Sequence, residues 1–156
     1  MPDMLVRLYD LPSLDDACAA VAKDGVTIRR AIAPEKPVVL EWVRANFASW
    51  VSEVECAFAQ VPVRCFIATR DGGVIGFACH DVTCLNFFGP EGVAASERGK
   101  GIGRALLLAA LHAQRLAGYA YSIIGGVGPA EFYVKTVRAM PIADSTASIY
   151  SGMLRP

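Results

Sequence analysis

The segment Arg98-Gly99-Lys100-Gly101-Ile102-Gly103-Arg104 stands directly ahead of the most apolar stretch of the chain, Ala105 to Leu111. This constrains the fold locally, because glycine takes positive φ and lets backbone approach a ligand where a side chain would block it. If the apolar stretch is a helix, its first N–H groups lack partners within the helix and the positive end of the macrodipole stands behind them. That arrangement is an anion site, and Arg98, Lys100 and Arg104 add positive charge around it. Two glycine patterns do not fit. A P-loop places four residues between its first Gly and Gly-Lys-Ser/Thr; here six separate Gly92 from Gly99-Lys100, and Gly101 stands where the hydroxyl belongs. The dinucleotide pattern G-x-G-x-x-G needs an acid ~20 residues on, whereas these glycines are spaced by two and Tyr119 to Tyr121 supplies no acid. On spacing alone, a pyrophosphate cradle and an ordinary turn with solvated basic residues both stay open.

The length of 156 residues suits one domain over 1–156, within the usual range of roughly 100–200 residues. It also allows a core without metal or disulfide staples. No apolar run approaches the ~18 residues of a membrane span, since His112, Gln114 and Arg115 follow Leu111 at once. Fifteen basic side chains balance fifteen acidic ones, so neither a nucleic-acid partner nor a membrane partner is expected. Met1-Pro2-Asp3-Met4 lacks the basic patch and apolar core of a secretory signal. Cys18, Cys56, Cys65, Cys79 and Cys84 are odd in number and scattered, as expected of reduced thiols in a cytoplasmic protein. Cys79-His80-Asp81 and Cys84 lack a paired C-x2-C, and His80 and Asp81 should alternate faces of a strand, so no metal site is expected.

Along the chain, Leu5 to Leu11 reads as a weak edge strand. Ser13 caps a short helix that Gly25 ends, and Val26 to Ile32 reads as a strand. Pro34 to Gln60 carries helical spacing through Val39, Trp42, Val43, Phe47, Trp50, Val51, Val54 and Phe58, and predicts two helices broken near Asn46 to Ser49. Trp42, Trp50 and Phe58 are expected in the core, a substrate wall being the minority alternative. Arg64 to Thr69 and Val74 to Asp81 form a hairpin across Arg70-Asp71-Gly72-Gly73. A third strand in Val82 to Val93 is interrupted by Gly89-Pro90 and Gly92, where proline cannot donate to a ladder. After the glycine loop and the helix Arg104 to Ala117 come a strand at Tyr121 to Val127 and a helix launched by Gly128-Pro129. Pro141-Ile142 and Ala147 to Met153 read as closing strands, and Ile149 to Met153 could pair between the subunits of a homodimer. His112 falls on the more polar side of its helix and reads as a rim residue.

The run Val93-Ala94-Ala95-Ser96-Glu97-Arg98-Gly99-Lys100-Gly101-Ile102-Gly103-Arg104-Ala105-Leu106-Leu107 resembles motif A, R/Q-x-x-G-x-G/A, of the GNAT superfamily of N-acetyltransferases. Glu131-Phe132-Tyr133-Val134-Lys135 resembles that family's F-Y-x-K segment. The resemblance covers about residues 64–142, and the N-terminal third agrees in element order only. It implies an α/β fold of α+β, three-layer type. A central mixed, mostly antiparallel twisted sheet of about six to seven strands would be flanked by about four helices. The sheet would be splayed between the cofactor strand and the next. It further implies acetyl-CoA as co-substrate and an amine acceptor as the second partner. Val93, Ala94 and Ala95 would pair with the pantetheine amides; Arg98, Gly99, Lys100, Gly101, Ile102, Gly103 and Arg104 would hold the pyrophosphate.

Amine attack on a thioester needs a neutral amine, a donor for the oxyanion and a proton for the leaving thiolate. The resemblance assigns the last role to Tyr133 as general acid. Glu91, two residues before Val93, is the base candidate, with Glu131, Asp81 and His80 as alternatives. The family often has an asparagine ahead of the tyrosine; Gly125-Gly126-Val127-Gly128-Pro129 stands there instead, so backbone would have to substitute. A module that binds acyl-CoA without turnover, or transfer of another acyl group, are the competing expectations.

Overall fold

The hairpin announced by Arg70-Asp71-Gly72-Gly73 is the centre of the sheet. In the computed structural model, which describes residues 1–154, Cys65–Arg70 (β3) and Gly73–His80 (β4) pair antiparallel. Asp71 and Gly72 take the positive φ values, 50° and 77°, that a tight turn requires. Met4–Arg7 (β1), Thr27–Arg30 (β2), Phe87–Val93 (β5), Tyr121–Ile124 (β6) and Met140–Pro141 (β7) complete a seven-stranded sheet in the order β2-β3-β4-β5-β6-β1-β7. Every pairing is antiparallel except β5 with β6. Five α-helices flank it among the described residues: Leu14–Ala22 (α1), Lys36–Asn46 (α2), Val51–Phe58 (α3), Ile102–Leu116 (α4) and Ala130–Val137 (α5). This is the mixed, mostly antiparallel sheet expected, with one more helix than expected.

Two cores lie on opposite faces. On one, α4 and α1 cover the sheet with Leu106, Leu107, Leu108 and Leu111 fully enclosed. Burying each such side chain is worth roughly 1.5–3 kcal/mol. Gly76 lets α4 sit this close, since a Cβ there would stand 3.0 Å from Leu106 Cδ1. On the other face, α2 and α3 bury Val39, Val43, Val54 and Phe58 against Ile67, Phe77 and Cys79. The break between these helices falls where the sequence placed it, at Phe47 and the 3-10 turn Ala48–Trp50. Ser13 Oγ accepts the Asp16 N–H at 3.1 Å and caps α1 as expected.

Strands β5 and β6 pair only at Phe87↔Ile123 and Phe88↔Ile124, then part. A buried polar network pins the closed end of this V. Gln114, fully buried on α4, donates to the Phe87 carbonyl (3.2 Å) and to Asp81 Oδ1 (3.4 Å), and accepts the Ser122 hydroxyl at 2.7 Å. Asp81 also accepts the Asn86 N–H at 2.6 Å and meets His80 Nδ1 at 2.7 Å. Burial pushes the Asp81 carboxyl up, but the bonds from His80, Asn86 and Gln114 outweigh it and hold the group below its usual value. His80 Nε2 and Asn86 Oδ1 are buried without a partner.

Three expectations are corrected. Strand β1 is shorter than expected and lies between β6 and β7 rather than at an edge; Leu8–Asp10 turns away as a 3-10 helix. Ala147 to Met153 is not a strand. Ala147 and Ser148 take positive φ (74° and 47°), and Ser148–Tyr150 is a 3-10 turn tied to Asp3 through the Ser148 hydroxyl. Short hydroxyl side chains here bond locally instead of leaving the backbone to a ladder. Finally, His80 and Asp81 do not alternate: β4 ends at His80 and Asp81, at φ 54°, swings its carboxylate onto the imidazole.

Replacing Gln114 with alanine leaves Asp81, Ser122 and the Phe87 carbonyl without this buried partner. The expected loss is on the order of 3 kcal/mol, seen as a Tm lowered by roughly 6–12 °C in circular-dichroism melts. A Tm within about 1 °C of the parent would refute the network's structural role.

Candidate active site

The loop after β5 is built as an anion cradle. Ala95–Glu97 makes a 3-10 turn, Arg98 is extended, and Gly99 and Gly101 take φ of 76° and 84°. Gly101 is the N-cap of α4 and has no side chain to cap it; the Ala105 N–H is bonded to the Gly101 carbonyl at 3.1 Å. The N–H groups of Ile102, Gly103 and Arg104 therefore have no acceptor within the helix. Beside them lies a cleft of about 620 Å³ lined by Arg98, Gly99, Gly101, Gly103 and Arg104 together with Phe47, Trp50, Phe132 and Tyr133. Gly92 makes room for the aromatic wall, since a Cβ there would lie 2.7 Å from the Phe47 ring.

The sequence-predicted residues divide in two. Glu91, Val93, Arg98, Gly99, Gly101, Gly103, Arg104 and Tyr133 meet at this cleft. Ala94, Ala95, Lys100 and Ile102 do not line it. Ala94 donates its N–H to the Ile75 carbonyl on β4 (2.9 Å), Ala95 has left the strand, and Ile102 is a core residue. Lys100 bonds Glu97 at 3.1 Å, which also takes the Arg70 guanidinium; these two cations, Arg70 first, hold the Glu97 carboxyl below its usual value. The Arg98 side chain donates Nε to the Val93 carbonyl at 3.2 Å. Arg104 makes no ion pair among the described residues.

A second cavity of about 270 Å³ opens where β5 and β6 part, and Trp50, Glu91, Pro129 and Tyr133 line both spaces. Its other walls include Glu53, Thr83, Tyr150, Phe88 and the backbone of Gly125 and Gly126. Gly125 is required: a Cβ would stand 2.8 Å from the Phe87 ring and 3.2 Å from the Tyr150 hydroxyl. Glu91 Oε1 is enclosed beside Gly103 with no hydrogen-bond partner, and burial raises its carboxyl well above the usual value. Burial first, and then the Glu91 charge, push the Tyr133 phenol up as well. The remaining base candidates fall outside: Glu131 is an exposed partner of Lys135 (3.2 Å), while His80 and Asp81 line neither cavity. His112, half-buried, bonds the Pro12 carbonyl (2.9 Å). Among the described residues no group of three or more His, Cys, Asp or Glu could hold a metal ion. No helix among them is long and apolar enough to cross a membrane.

Sequence reasoning overlooked Glu53, Thr83 and Tyr150. Glu53 lies on an amphipathic helix between core positions, and Tyr150 sits in a segment read as strand, so neither carried a local signal. Trp50, expected in the core, is half-buried: it stacks on Phe47 (5.2 Å, 18°) and presents its other side to the cavities.

Comparison with known proteins agrees with this fold. The family described as acetyltransferase (GNAT) domain matches residues 62–136, from just before β3 into the last turn of α5. No curated protein matches significantly. A glucosamine N-acetyltransferase region of a fungal multi-domain β-N-acetylglucosaminidase superposes with TM-score 0.74 at 19% identity, over 90% of this chain and 19% of that one. A GCN5-related N-acetyltransferase from Sphaerobacter thermophilus gives 0.70 at 18% identity, over 90% and 48%. A GNAT family acetyltransferase from Brucella melitensis, solved with acetyl-CoA, gives 0.53 at 21% identity, over 70% and 80%. The chain thus spans a fifth to a half of the length of the first two. The fold is that of the GNAT superfamily of N-acetyltransferases.

The raised Glu91 value has a measurable consequence. A carboxyl whose value burial raises in the folded state contributes stability that is complete below its unfolded value, about 4.3, and is lost as pH rises through the folded one. In Glu91→Gln this loss is absent. Its Tm should match the parent near about pH 4 and exceed it increasingly toward about pH 8. A Tm difference independent of pH would exclude the buried carboxyl.

Proposed function

We propose that the protein transfers an acetyl group from acetyl-CoA to a primary amine by direct attack on the thioester. The observation that carries this reading is that the anion cradle and the second cavity meet at Glu91 and Tyr133. The cleft volume of about 620 Å³ falls among ligand sites of roughly 300–1,000 Å³. The residues fit the co-substrate. Free N–H groups of Ile102, Gly103 and Arg104, with the guanidinium groups of Arg98 and Arg104, suit a pyrophosphate. The edge of β5 at Val93, which β6 leaves without a ladder partner, suits the amides of the pantetheine arm.

Acetyl-CoA supplies the activated acyl group; the chain supplies proton control. A free alkylamine is protonated at neutral pH, its pKa lying near ~10. Glu91, whose carboxyl burial raises, is in its ionised form a stronger base than an exposed carboxylate; the ammonium first gives one proton to water, and Glu91 takes the next from the attacking nitrogen, directly or through one water. As the N–C bond forms and the C–S bond breaks, Tyr133 faces the sulfur. Its raised phenol stays protonated, yet full transfer to a thiolate of pKa about 8.5 is uphill. Tyr133 therefore acts first by donating a hydrogen bond to the developing thiolate. The phenol proton ends on sulfur as the C–S bond breaks, and the proton that Glu91 took from the attacking nitrogen returns to the phenolate, so CoA leaves as the thiol and both side chains end as they began.

Tyr133→Phe should keep CoA affinity within about twofold while lowering kcat about 10²-fold, as expected for a lost proton donor. Arg98→Ala with Arg104→Ala should raise the KM for acetyl-CoA at least about tenfold, from lost charge-assisted bonds. Thiol release assayed over a broad amine panel checks both. CoA binding without thiol release from any amine would instead favour a non-catalytic acyl-CoA-binding module.

A further inference from the structure

The cavity between β5 and β6 has a one-sided charge. Its ionisable lining is Glu53, Glu91, Tyr133 and Tyr150, with no lysine, arginine or histidine among the described residues that line it. The cofactor cleft next to it carries Arg98 and Arg104. Glu53, on α3, is the acid of this cavity that the proton-transfer scheme leaves unused. Thr83 donates its hydroxyl to Glu53 Oε1 and fixes the carboxylate, which forms no ion pair with any described residue.

Aromatic faces frame it. Trp50 is held by its stack on Phe47, and Tyr150 lies over Gly125 and Gly126. Tyr150 is placed there by the Ser148 hydroxyl on Asp3 and by the Asp3 N–H on Ser145 Oγ (2.8 Å). A carboxylate that shares a cavity with two aromatic side chains is a setting in which a desolvated ammonium gains both ion pairing and cation–π attraction. A second carboxylate, by contrast, would meet Glu53 with no cation to offset it. The volume of about 270 Å³ lies below the usual ligand-site range of roughly 300–1,000 Å³ and admits a slender chain better than a bulky ring system.

Building on the acetyltransferase reading, we infer that the acceptor is a slender amine bearing a second positive charge and no carboxylate. Glu53 anchors the far ammonium while the near amine lies at Glu91 and Tyr133. Glu53 is thus the residue that selects the acceptor, and Thr83 positions it.

Three amines of one chain length test this: butylamine, 1,4-diaminobutane and 4-aminobutanoate. With the parent protein, kcat/KM should favour the diamine over the monoamine by at least about tenfold, the worth of one charge-assisted bond, and the amino acid should be poorest. Glu53→Gln should collapse the diamine-to-monoamine ratio toward one, mainly by raising the KM for the diamine, without altering CoA affinity. Thr83→Val, which keeps the carboxylate but frees it, should give an intermediate ratio. A ratio unchanged in Glu53→Gln, or a preference for 4-aminobutanoate, overturns the inference. If the parent turns over none of the three, calorimetric titration of the same amines separates the two proposals. Diamine binding that Glu53→Gln abolishes upholds the site while the transfer reading fails. No binding of the diamine overturns the site.

Discussion

Every functional feature of this molecule depends on strands β5 and β6 parting after two paired residues. A sheet interior does not normally give up its ladder, because unpaired buried backbone groups cost as much as lost hydrogen bonds. The parting is tolerable here for two reasons. At its closed end, Gln114 joins α4 to the Phe87 carbonyl, Asp81 and Ser122, so the strands cannot peel further. At its open end, the edge of β5 faces cavities where a ligand's polar groups can take the place of a strand. Gly92 and Gly125 give aromatic rings the space to wall those cavities. The divergence, the glycines and the network form one device: a gap held open by a rigid hinge.

Legibility in the sequence followed the range of the interactions involved. The hairpin at Asp71-Gly72 and the start of α4 at Gly101 were readable because positive φ is demanded locally and glycine or aspartate answers locally. The helical break at Phe47 was readable because one helix over Pro34 to Gln60 would be unusually long for a globular domain. The Glu91–Tyr133 convergence was only half legible. Each residue could be named by its place relative to the glycine loop and the Phe132-Tyr133 pair, but the burial that shifts both groups depends on α4, α5 and β5 packing together.

What the sequence misread was non-local or side-chain driven. Ala147 to Met153 has strand-like residues, yet Asp3, more than a hundred positions away, captures Ser148 and bends the segment into the turn that delivers Tyr150. His80 and Asp81 look like alternating strand positions until positive φ at Asp81 brings the pair into one hydrogen bond. Lys100 looks like a phosphate ligand in the string of basic residues, but Glu97 engages it together with Arg70. Of three cations in the motif, only Arg98 and Arg104 line the cleft.

That last distinction bears on how the cleft would sort donor from acceptor in the proposed reaction. Coulomb interactions in a partly desolvated groove are several-fold stronger than in water, so a groove with cations at one end and carboxylates at the other orients what enters it. The arginine end disfavours an ammonium, and the Glu53 end disfavours a phosphate. A phosphate-bearing thioester and an amine bound in the wrong order would place like charges together at both ends. The Glu97 contacts sharpen this polarity. By drawing Lys100 and Arg70 onto one carboxylate, Glu97 confines the positive potential to Arg98, Arg104 and the helix terminus, at the point where the backbone N–H groups already converge. Charge that lay further along β5 would spread toward Glu91 and stabilise its ionised form, working against the raised carboxyl value that burial gives it. The pairing of Glu97 outside the cleft and the isolation of Glu91 inside it are therefore two sides of the same electrostatic arrangement.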